Sequence, residues 1–222
     1  LGAFWRKLDD QGAHITTIAA TRLLLYTMTR KSELLRSKWP EFDLDAAQWD
    51  IPAERMKMGK PHRVFLSRQA VELLRQVHEL TGHGEYVLPS IFRGSVPMGD
   101  VTLNHFFKRI DFGVPDFSPH GTRGTAATLL REHGFGRDVV ELLLAHSEKN
   151  ATVAAYSHME LAADRKRALQ YLADRVEALA AATVFFPVMF FFIAFVMGLG
   201  TGASILIGQA YGKGDHDRVR AI

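Results

Sequence analysis

The sequence predicts an α+β fold that is mostly helical, has a small antiparallel sheet, and is followed by a separate apolar helical tail. Apolar residues recur at helical spacing through most of the first 180 positions. The strand-like stretches come early, at residues 48–51 and 62–66. Residues 178–212 carry no charge at all. Because the strands cluster rather than alternate with the helices, the pattern is typical of an α+β domain.

Composition bounds the class of protein. A chain of 222 residues allows one good core and an appendage, and its 47% apolar and 23% charged residues are those of a globular protein. The net charge of +3 permits binding to nucleic acid without arguing for it. The absence of cysteine excludes a disulfide scaffold and thiolate metal sites. No signal peptide is visible, and because the first residue is Leu we expect the chain to be a fragment.

The elements follow from local patterns, taken in chain order. No role is assigned to residues 1–14. Helical spacing, caps and breakers predict helices over residues 15–28, 29–38, 68–80 and 101–110, from Pro119, from Gly136 and from Asn150, and over residues 161–182. The segment Met58-Gly59-Lys60-Pro61 has turn chemistry, so the two strands form a hairpin that carries Lys57. The charge pattern places the domain boundary near Ala182, giving domains 1–182 and 183–222.

The stretch from Ser118 to Tyr156 carries the most informative chemistry. Ser118 and Pro119 predict a helix start, and His120 and Arg123 then share one helix face. A guanidinium can grip two phosphate oxygens while an imidazole moves a proton, so the pair suits a phosphodiester. His146 ends an apolar run, and Tyr156 follows ten residues later among small residues. A phenol near arginines ionises more easily and can attack phosphorus covalently.

These residues resemble the second catalytic box of the tyrosine recombinases, the phage-type integrases. The segment LLLYTMTRKSELL resembles the family's first box and puts the first catalytic Arg at Arg30, with Glu33 as its bracing carboxylate. The segment IPAERMKMGKPHRVFLS resembles the hairpin that holds the catalytic Lys, here Lys57. The resemblance covers about residues 15–180. One departure is Met28, which stands where the family usually has Gly.

The resemblance implies a mechanism and partners. Tyr156 would attack a DNA phosphate and form a 3′-phosphotyrosyl bond, while Arg30, Arg123, His120 and His146 hold the phosphate. Lys57 would protonate the leaving 5′ oxygen. The reaction needs no cofactor. The expected partners are double-stranded DNA attachment sites, with a homo-tetramer on DNA as the working unit, in the bacterial cytoplasm at the nucleoid. The family's usual amino-terminal DNA-clamping domain is expected to be absent from this chain.

Alternative interpretations of the same residues stay open. Arg55, Lys60 and Arg63 make the hairpin basic, so it could simply bind DNA phosphates, and Lys60 remains an alternative to Lys57 as proton donor. The other histidines show no firm ligand spacing, so no metal site is predicted. Type IB topoisomerases share the chemistry and remain an alternative. An inactive DNA-binding remnant of an integrase is a further alternative.

The tail is a different kind of segment. Residues 183–222 are rich in phenylalanine, and the uncharged run is long enough to span a bilayer. The pieces GTGAS, AYG and GDHDRV resemble an early transmembrane hairpin of the multidrug and toxic compound extrusion transporters. A recombinase has no use for such a segment, so we read it as a fused or mis-joined fragment that could associate with a membrane. It is expected to be a helix interrupted near Gly198 to Gly202 and packed loosely or not at all on the preceding domain.

Overall fold

A three-stranded antiparallel sheet lies beside a larger group of helices in the computed structural model. The structure describes residues 2–9, 12–110, 117–146 and 161–213. In these ranges the strands are β1 (Phe42–Asp43), β2 (Gln48–Ile51) and β3 (His62–Phe65). The helices are α1 (Gly2–Asp9), α2 (Ile15–Thr27), α3 (Lys31–Leu35), α4 (Arg68–Thr81), α5 (Asp100–Arg109), α6 (Gly121–Glu132), α7 (Arg137–Leu143) and α8 (Ala162–Gly212). The predicted α+β class is confirmed.

The sheet is anchored by one buried tryptophan. Trp49 of β2 pairs with Phe42 of β1 and Val64 of β3 and is fully buried. Its ring stacks on Phe42 at 4.9 Å, and its Nε1 donates to a carboxylate oxygen of Glu41 at 2.9 Å. The indole N–H is therefore satisfied inside the core, as a buried tryptophan requires. The contacts of Trp49 thus anchor the hairpin of β2 and β3 to the core.

Helix α2 forms the centre of the helical core. Apolar or small side chains surround it, and it contacts α3, α4, α5, α6 and α8. A helix that is apolar on all sides belongs in the interior. The sequence reading assigned no role to residues 1–14, yet α1 packs against α8 and buries Phe4, Trp5 and Leu8. Its eight residues are too short for a persuasive helical pattern in the sequence.

Helix α3 is shorter than expected. It ends at Leu35, whereas the sequence predicted a helix reaching Lys38. Lys38 instead forms an extended bridge with Tyr86, and the carbonyls of Glu33 and Arg36 accept from the guanidinium of Arg55. Because those carbonyls are satisfied from outside the helix, the chain can leave the helix early.

The carboxyl-terminal helix joins two regions of opposite character. Up to Val176, α8 packs its apolar side into the core, and Glu177 accepts from the Tyr26 hydroxyl at 3.0 Å. Beyond Ala182 the apolar side chains are mostly exposed. The expectation that the tail packs loosely or not at all on the domain agrees with this exposure. The expected interruption near Gly198 to Gly202 is wrong, because α8 continues through these glycines to Gly212.

Candidate active site

Arg30 lies at the amino-terminal end of α3 and is held there by Glu33. The Arg30 backbone N–H donates to Glu33 Oε2 at 2.8 Å, and Arg30 Nη1 donates to Glu33 Oε1 at 2.7 Å. The Glu33 side chain is only 2% exposed, whereas that of Arg30 is 22% exposed. The buried carboxylate thus fixes both the main chain and the side chain of Arg30, while part of the guanidinium still faces outward.

Met28 adopts the conformation that glycine favours at the end of a helix. Its φ of 55° and ψ of 19° are left-handed, and its N–H caps the Leu24 carbonyl. A side chain makes this conformation costly, by about 1–2 kcal/mol. The methionine side chain is fully buried, so packing offsets part of that cost. Met28 therefore reproduces the helix ending that a glycine would give, and Arg30 follows two residues later.

Arg123 joins the segments that carry Arg30 and His146. From α6, its Nη1 donates to the Met28 carbonyl at 2.6 Å and its Nη2 donates to the Leu144 carbonyl at 2.8 Å. Met28 and Leu144 each precede a predicted phosphate ligand by two residues. The Arg123 residue is only 5% exposed. One guanidinium therefore sets the position of both neighbouring parts of the site.

The two arginines interact electrostatically. Burial, the larger cause, and the nearby charge of Arg30 together lower the pKa of Arg123 to about 10, while Glu33 acts in the opposite direction. Two positive groups held together in a partly dry site leave positive charge uncompensated. Such a pair attracts an anion, and a phosphodiester is an anion that two guanidinium groups can hold.

His120 lies at the first turn of the same helix. Ser118 Oγ accepts from the Gly121 N–H at 3.2 Å, which agrees with the cap expected from the sequence. The His120 carbonyl accepts from the Arg123 N–H at 3.2 Å, and the His120 side chain is exposed. His120 is thus placed one turn from Arg123 and open to a ligand.

His146 follows α7 and is tied back to it. Its Nδ1 lies 2.5 Å from Glu141 Oε2, and its backbone N–H donates to the Glu141 carbonyl at 3.0 Å. The other Glu141 oxygen accepts from Arg131 of α6 at 2.8 Å. The sequence reading missed Glu141, because it treated the run VVELLLAH as an apolar helix end. The spacing of five residues between Glu141 and His146 is not a usual same-face helical spacing.

The β2–β3 hairpin lies next to His146. Lys60, Met56 and Met58 line a small cleft of about 50 Å³ together with His146. Lys57 lies between these two methionines at the turn and is exposed. Lys60, rather than Lys57, therefore borders the cleft, while both amines are close enough along the chain to be carried by the same loop.

Arg55 and Arg63, which the sequence reading assigned to DNA, are engaged within the chain. Arg55 donates to Glu41 Oε1 at 2.9 Å and to the Glu33 carbonyl at 2.6 Å, and burial lowers its pKa. Arg63 is exposed and forms a two-bonded pair with Asp50, at 2.7 and 2.8 Å. DNA binding by either residue stays a prediction, and at Arg55 it would compete with existing acceptors.

Another cleft is lined by none of Arg30, Arg123 and His146. Its volume is about 750 Å³, and it lies between β2, β3 and the start of α8, bordered by Arg63 and Arg165. The arginine cluster is more informative than this volume, because charge and buried donors, not space alone, define a phosphate site. Across the described ranges, no three His, Asp or Glu side chains converge as a metal site would require.

The structure therefore brings together Arg30, Glu33, His120, Arg123 and His146, with the hairpin of Lys57 and Lys60 beside them. Tyr156 lies outside the described residues, as does the helix predicted from Asn150. Four of the six predicted catalytic residues, Arg30, His120, Arg123 and His146, thus lie on neighbouring segments, and their catalytic roles stay a prediction.

A family model described as the phage integrase family matches residues 3–162. The chain belongs to the phage integrase family. Prophage integrase IntA of Escherichia coli K12 is 40% identical over 154 residues, which cover 69% of this chain and 37% of IntA. The integrase of enterobacteria phage P4 is 33% identical over 189 residues, covering 78% of this chain and 43% of that integrase. The chain thus spans less than half the length of these relatives.

Solved structures of integrases share the fold. XerA recombinase superposes with a TM-score of 0.56 at 19% identity, covering 72% of this chain and 62% of XerA. The catalytic core of lambda integrase gives a TM-score of 0.51 at 20% identity, covering 66% of this chain and 90% of that core. At these identities the likeness establishes the architecture, and the predicted recombinase fold is confirmed.

The tail matches a different family. A model described as MatE matches residues 171–222. The "Probable multidrug resistance protein YoeA" of Bacillus subtilis is 51% identical over 47 residues, which cover 21% of this chain and 10% of YoeA. The predicted transporter-like segment is confirmed as a similarity. The match begins inside the part of α8 that is buried against the integrase core.

Proposed function

We propose that this chain is the catalytic part of a site-specific recombinase, which cuts and rejoins DNA through a 3′-phosphotyrosyl intermediate. The observation that carries the proposal is the buried Arg123 beside Arg30, two guanidinium groups whose charges are not fully compensated. A phosphate bound there would gain from both. Membership of the phage integrase family gives the same expectation.

Each side chain has a role in the proposed reaction. Arg30 and Arg123 neutralise the charge that grows on the non-bridging oxygens, without a cofactor. His120 and His146 hydrogen-bond the same phosphate. Tyr156 loses its hydroxyl proton to water, favoured by the nearby arginines, and attacks phosphorus as the phenolate, so its P–O bond forms as the bond to the 5′ oxygen breaks. A 5′-hydroxyl of the partner strand then reverses the step.

The leaving 5′ oxygen needs a proton, and the hairpin can supply it. We propose Lys57 as this general acid, because its position in the hairpin matches that of the family's lysine. Lys60 borders the cleft next to His146, so it is the natural competitor. General acid catalysis is worth about 10²–10⁴ in rate.

Double-stranded attachment sites are the proposed substrate, and a homo-tetramer on two such sites is the proposed working unit. Lambda integrase and the Tn1549 transposon integrase have been solved bound to DNA. Basic residues of the hairpin, including Lys60, Arg63 and Arg55, would touch DNA phosphates, and their contribution would weaken with salt. The proposed place of action is the bacterial cytoplasm, at the nucleoid.

A nicked suicide duplex tests the cleavage function. The full chain should form a covalent protein–DNA adduct that survives a denaturing gel, and Tyr156→Phe should abolish it. Tyr171→Phe is the matched control, because Tyr171 packs against His133 and Phe135 as a structural ring. An adduct that persists in Tyr156→Phe would refute the nucleophile. Binding to the duplex without any adduct would favour the inactive remnant.

A 5′-bridging sulfur separates the two lysines. Sulfur leaves without a proton, so such a substrate should restore cleavage to Lys57→Ala but not to a variant that binds DNA poorly. Lys60→Ala is the matched control on the same turn. Rescue of Lys60→Ala alone would transfer the general-acid role to Lys60.

The tail supports a second proposal, association with a membrane. One described helix, which includes the tail, is long and apolar enough to cross a bilayer by length and composition, and its most apolar window is not buried in the chain. Residues 182–212 of α8 would span about 45 Å at 1.5 Å per residue, more than a bilayer core of about 30 Å. We propose a domain boundary near Ala182. Recovery of the full chain in the soluble fraction would contradict the membrane proposal.

A further inference from the structure

We propose that Glu141 is a positioning residue for His146, holding its imidazole through Nδ1 so that Nε2 faces the scissile phosphate. The inference rests on the proposed function, since that function gives His146 its phosphate. It concerns a carboxylate that the family resemblance did not bring into the site.

Glu141 holds His146 at two points. Its carboxylate oxygen lies 2.5 Å from Nδ1, and its backbone carbonyl accepts the His146 N–H at 3.0 Å. The second contact fixes the main chain after α7, and the first fixes the rotation of the ring. A ring that lacked the first contact could turn about its side-chain bonds, because 52% of the His146 side chain is exposed.

The carboxylate also decides which nitrogen carries the proton. An ionised carboxylate accepts only, so Nδ1 must be the donor. Hydrogen bonding to His146 is the largest influence on Glu141 and lowers its pKa, which keeps the carboxylate ionised at neutral pH. Nε2 is then free for the phosphate, and it can donate once the ring carries its second proton. The same arrangement orients histidines at metal and catalytic sites.

Arg131 completes the arrangement from the helix that carries Arg123. It binds the second oxygen of Glu141 at 2.8 Å and so prevents that carboxylate from swinging away. Arg131 and Arg137 both favour the ionised form of Glu141. Lys60 and His62 line the cleft on the hairpin side of His146, so a bound phosphate there would meet positive or neutral groups.

A double-mutant cycle on the full chain tests the proposal, with adduct formation on the nicked duplex as the rate. Glu141→Ala should lower the rate about 10–100-fold, by analogy with the effect of removing a carboxylate that orients a metal-bound histidine. His146→Ala should lower it further, and the double variant should be no slower than His146→Ala. Losses that multiply would overturn the proposal. Asp138→Asn, an exposed carboxylate on the same helix, should leave the rate unchanged.

Nitrogen-15 NMR of the imidazoles gives a second readout that does not need cleavage. In the unmodified chain, held in detergent, His146 should show a protonated Nδ1 at neutral pH, and Glu141→Ala should abolish that preference while the other histidine signals stay in place. A chain that forms no adduct but shows this change would refute the recombinase function and keep the pairing. An unchanged His146 signal in Glu141→Ala would refute the positioning role.

Discussion

Replacing Arg123 by methionine separates its structural role from its catalytic role. The guanidinium donates to two main-chain carbonyls, those of Met28 and Leu144, at 2.6 and 2.8 Å. Methionine keeps much of the apolar volume and removes both donors. Each buried carbonyl left without a donor costs about 1–3 kcal/mol, so the loss of both costs roughly 2–6 kcal/mol.

Removing the positive charge of Arg123 changes the free energy of unfolding in the opposite direction. Burial and Arg30 lower the pKa of Arg123 from 12.5 to about 10, which corresponds to roughly 3 kcal/mol opposing the charged form. Removing the charge returns that free energy. Subtracting roughly 3 kcal/mol from the roughly 2–6 kcal/mol lost with the hydrogen bonds leaves between a gain of about 1 and a loss of about 3 kcal/mol. We therefore expect Arg123→Met to lower the free energy of unfolding by at most about 3 kcal/mol, while adduct formation falls by about 10² or more, as when a preorganised donor at a reacting centre is lost.

Urea unfolding in detergent, followed by tryptophan fluorescence, measures the first quantity. All three tryptophans precede residue 50, so the signal reports the catalytic part in the full chain. Arg123→Lys is the control that retains the positive charge. A loss of unfolding free energy well above about 3 kcal/mol would show that removing the charge offsets less of the hydrogen-bond loss than the lowered pKa implies. Normal cleavage by Arg123→Met would refute the phosphate role.

Further predictions follow from backbone geometry, from the contacts of Glu141 and from the exposed tail. Ala145→Gly should raise the free energy of unfolding by about 0.5–1 kcal/mol, because Ala145 has a φ of 50°. Met28→Gly should lower the free energy of unfolding, because a fully buried side chain is lost. Urea midpoints check both predictions. The folded-state pKa of Glu141 is lowered, so its stabilisation is present above the ordinary carboxylate pKa and is lost as the pH falls through the folded value; Glu141→Gln should therefore be less stable than the unmodified chain at neutral pH and equal to it in acid. A shortened chain ending at Ala182 should stay in the soluble fraction and bind duplex DNA, while the full chain sediments with membranes; equal sedimentation of both would contradict the boundary.

Residue order and type were enough to predict the fold class and the local pairs of the candidate site. Arg30 with Glu33, and His120 with Arg123, have short spacings that local helix geometry turns into contacts. The family resemblance supplied the long-range part, because no local rule brings residue 30 to residue 123. The contact between these distant segments has a physical explanation, since the guanidinium of Arg123 donates to two main-chain carbonyls at once.

The misses have physical causes. Glu141 reaches His146 only because the chain turns sharply at Ala145 after α7, and a side-chain spacing of five gives no helical signal. Helix α1 packs against α8, and its eight residues were too few for a prediction from the sequence alone. The interruption expected at Gly198 to Gly202 assumed that glycine breaks a helix, although a glycine costs only about 1 kcal/mol and α8 continues through it.

The most direct test of the central claim is to identify the amino acid that becomes joined to DNA. The covalent adduct from a nicked duplex would be digested with nuclease and trypsin and its peptide sequenced by mass spectrometry. Cleavage after Lys149 and Arg165 gives a peptide of residues 150–165 that contains a single tyrosine, Tyr156. The account predicts a nucleotide phosphate on that tyrosine. A nucleotide on any other residue, or an adduct linked through a 5′ phosphate, would contradict it.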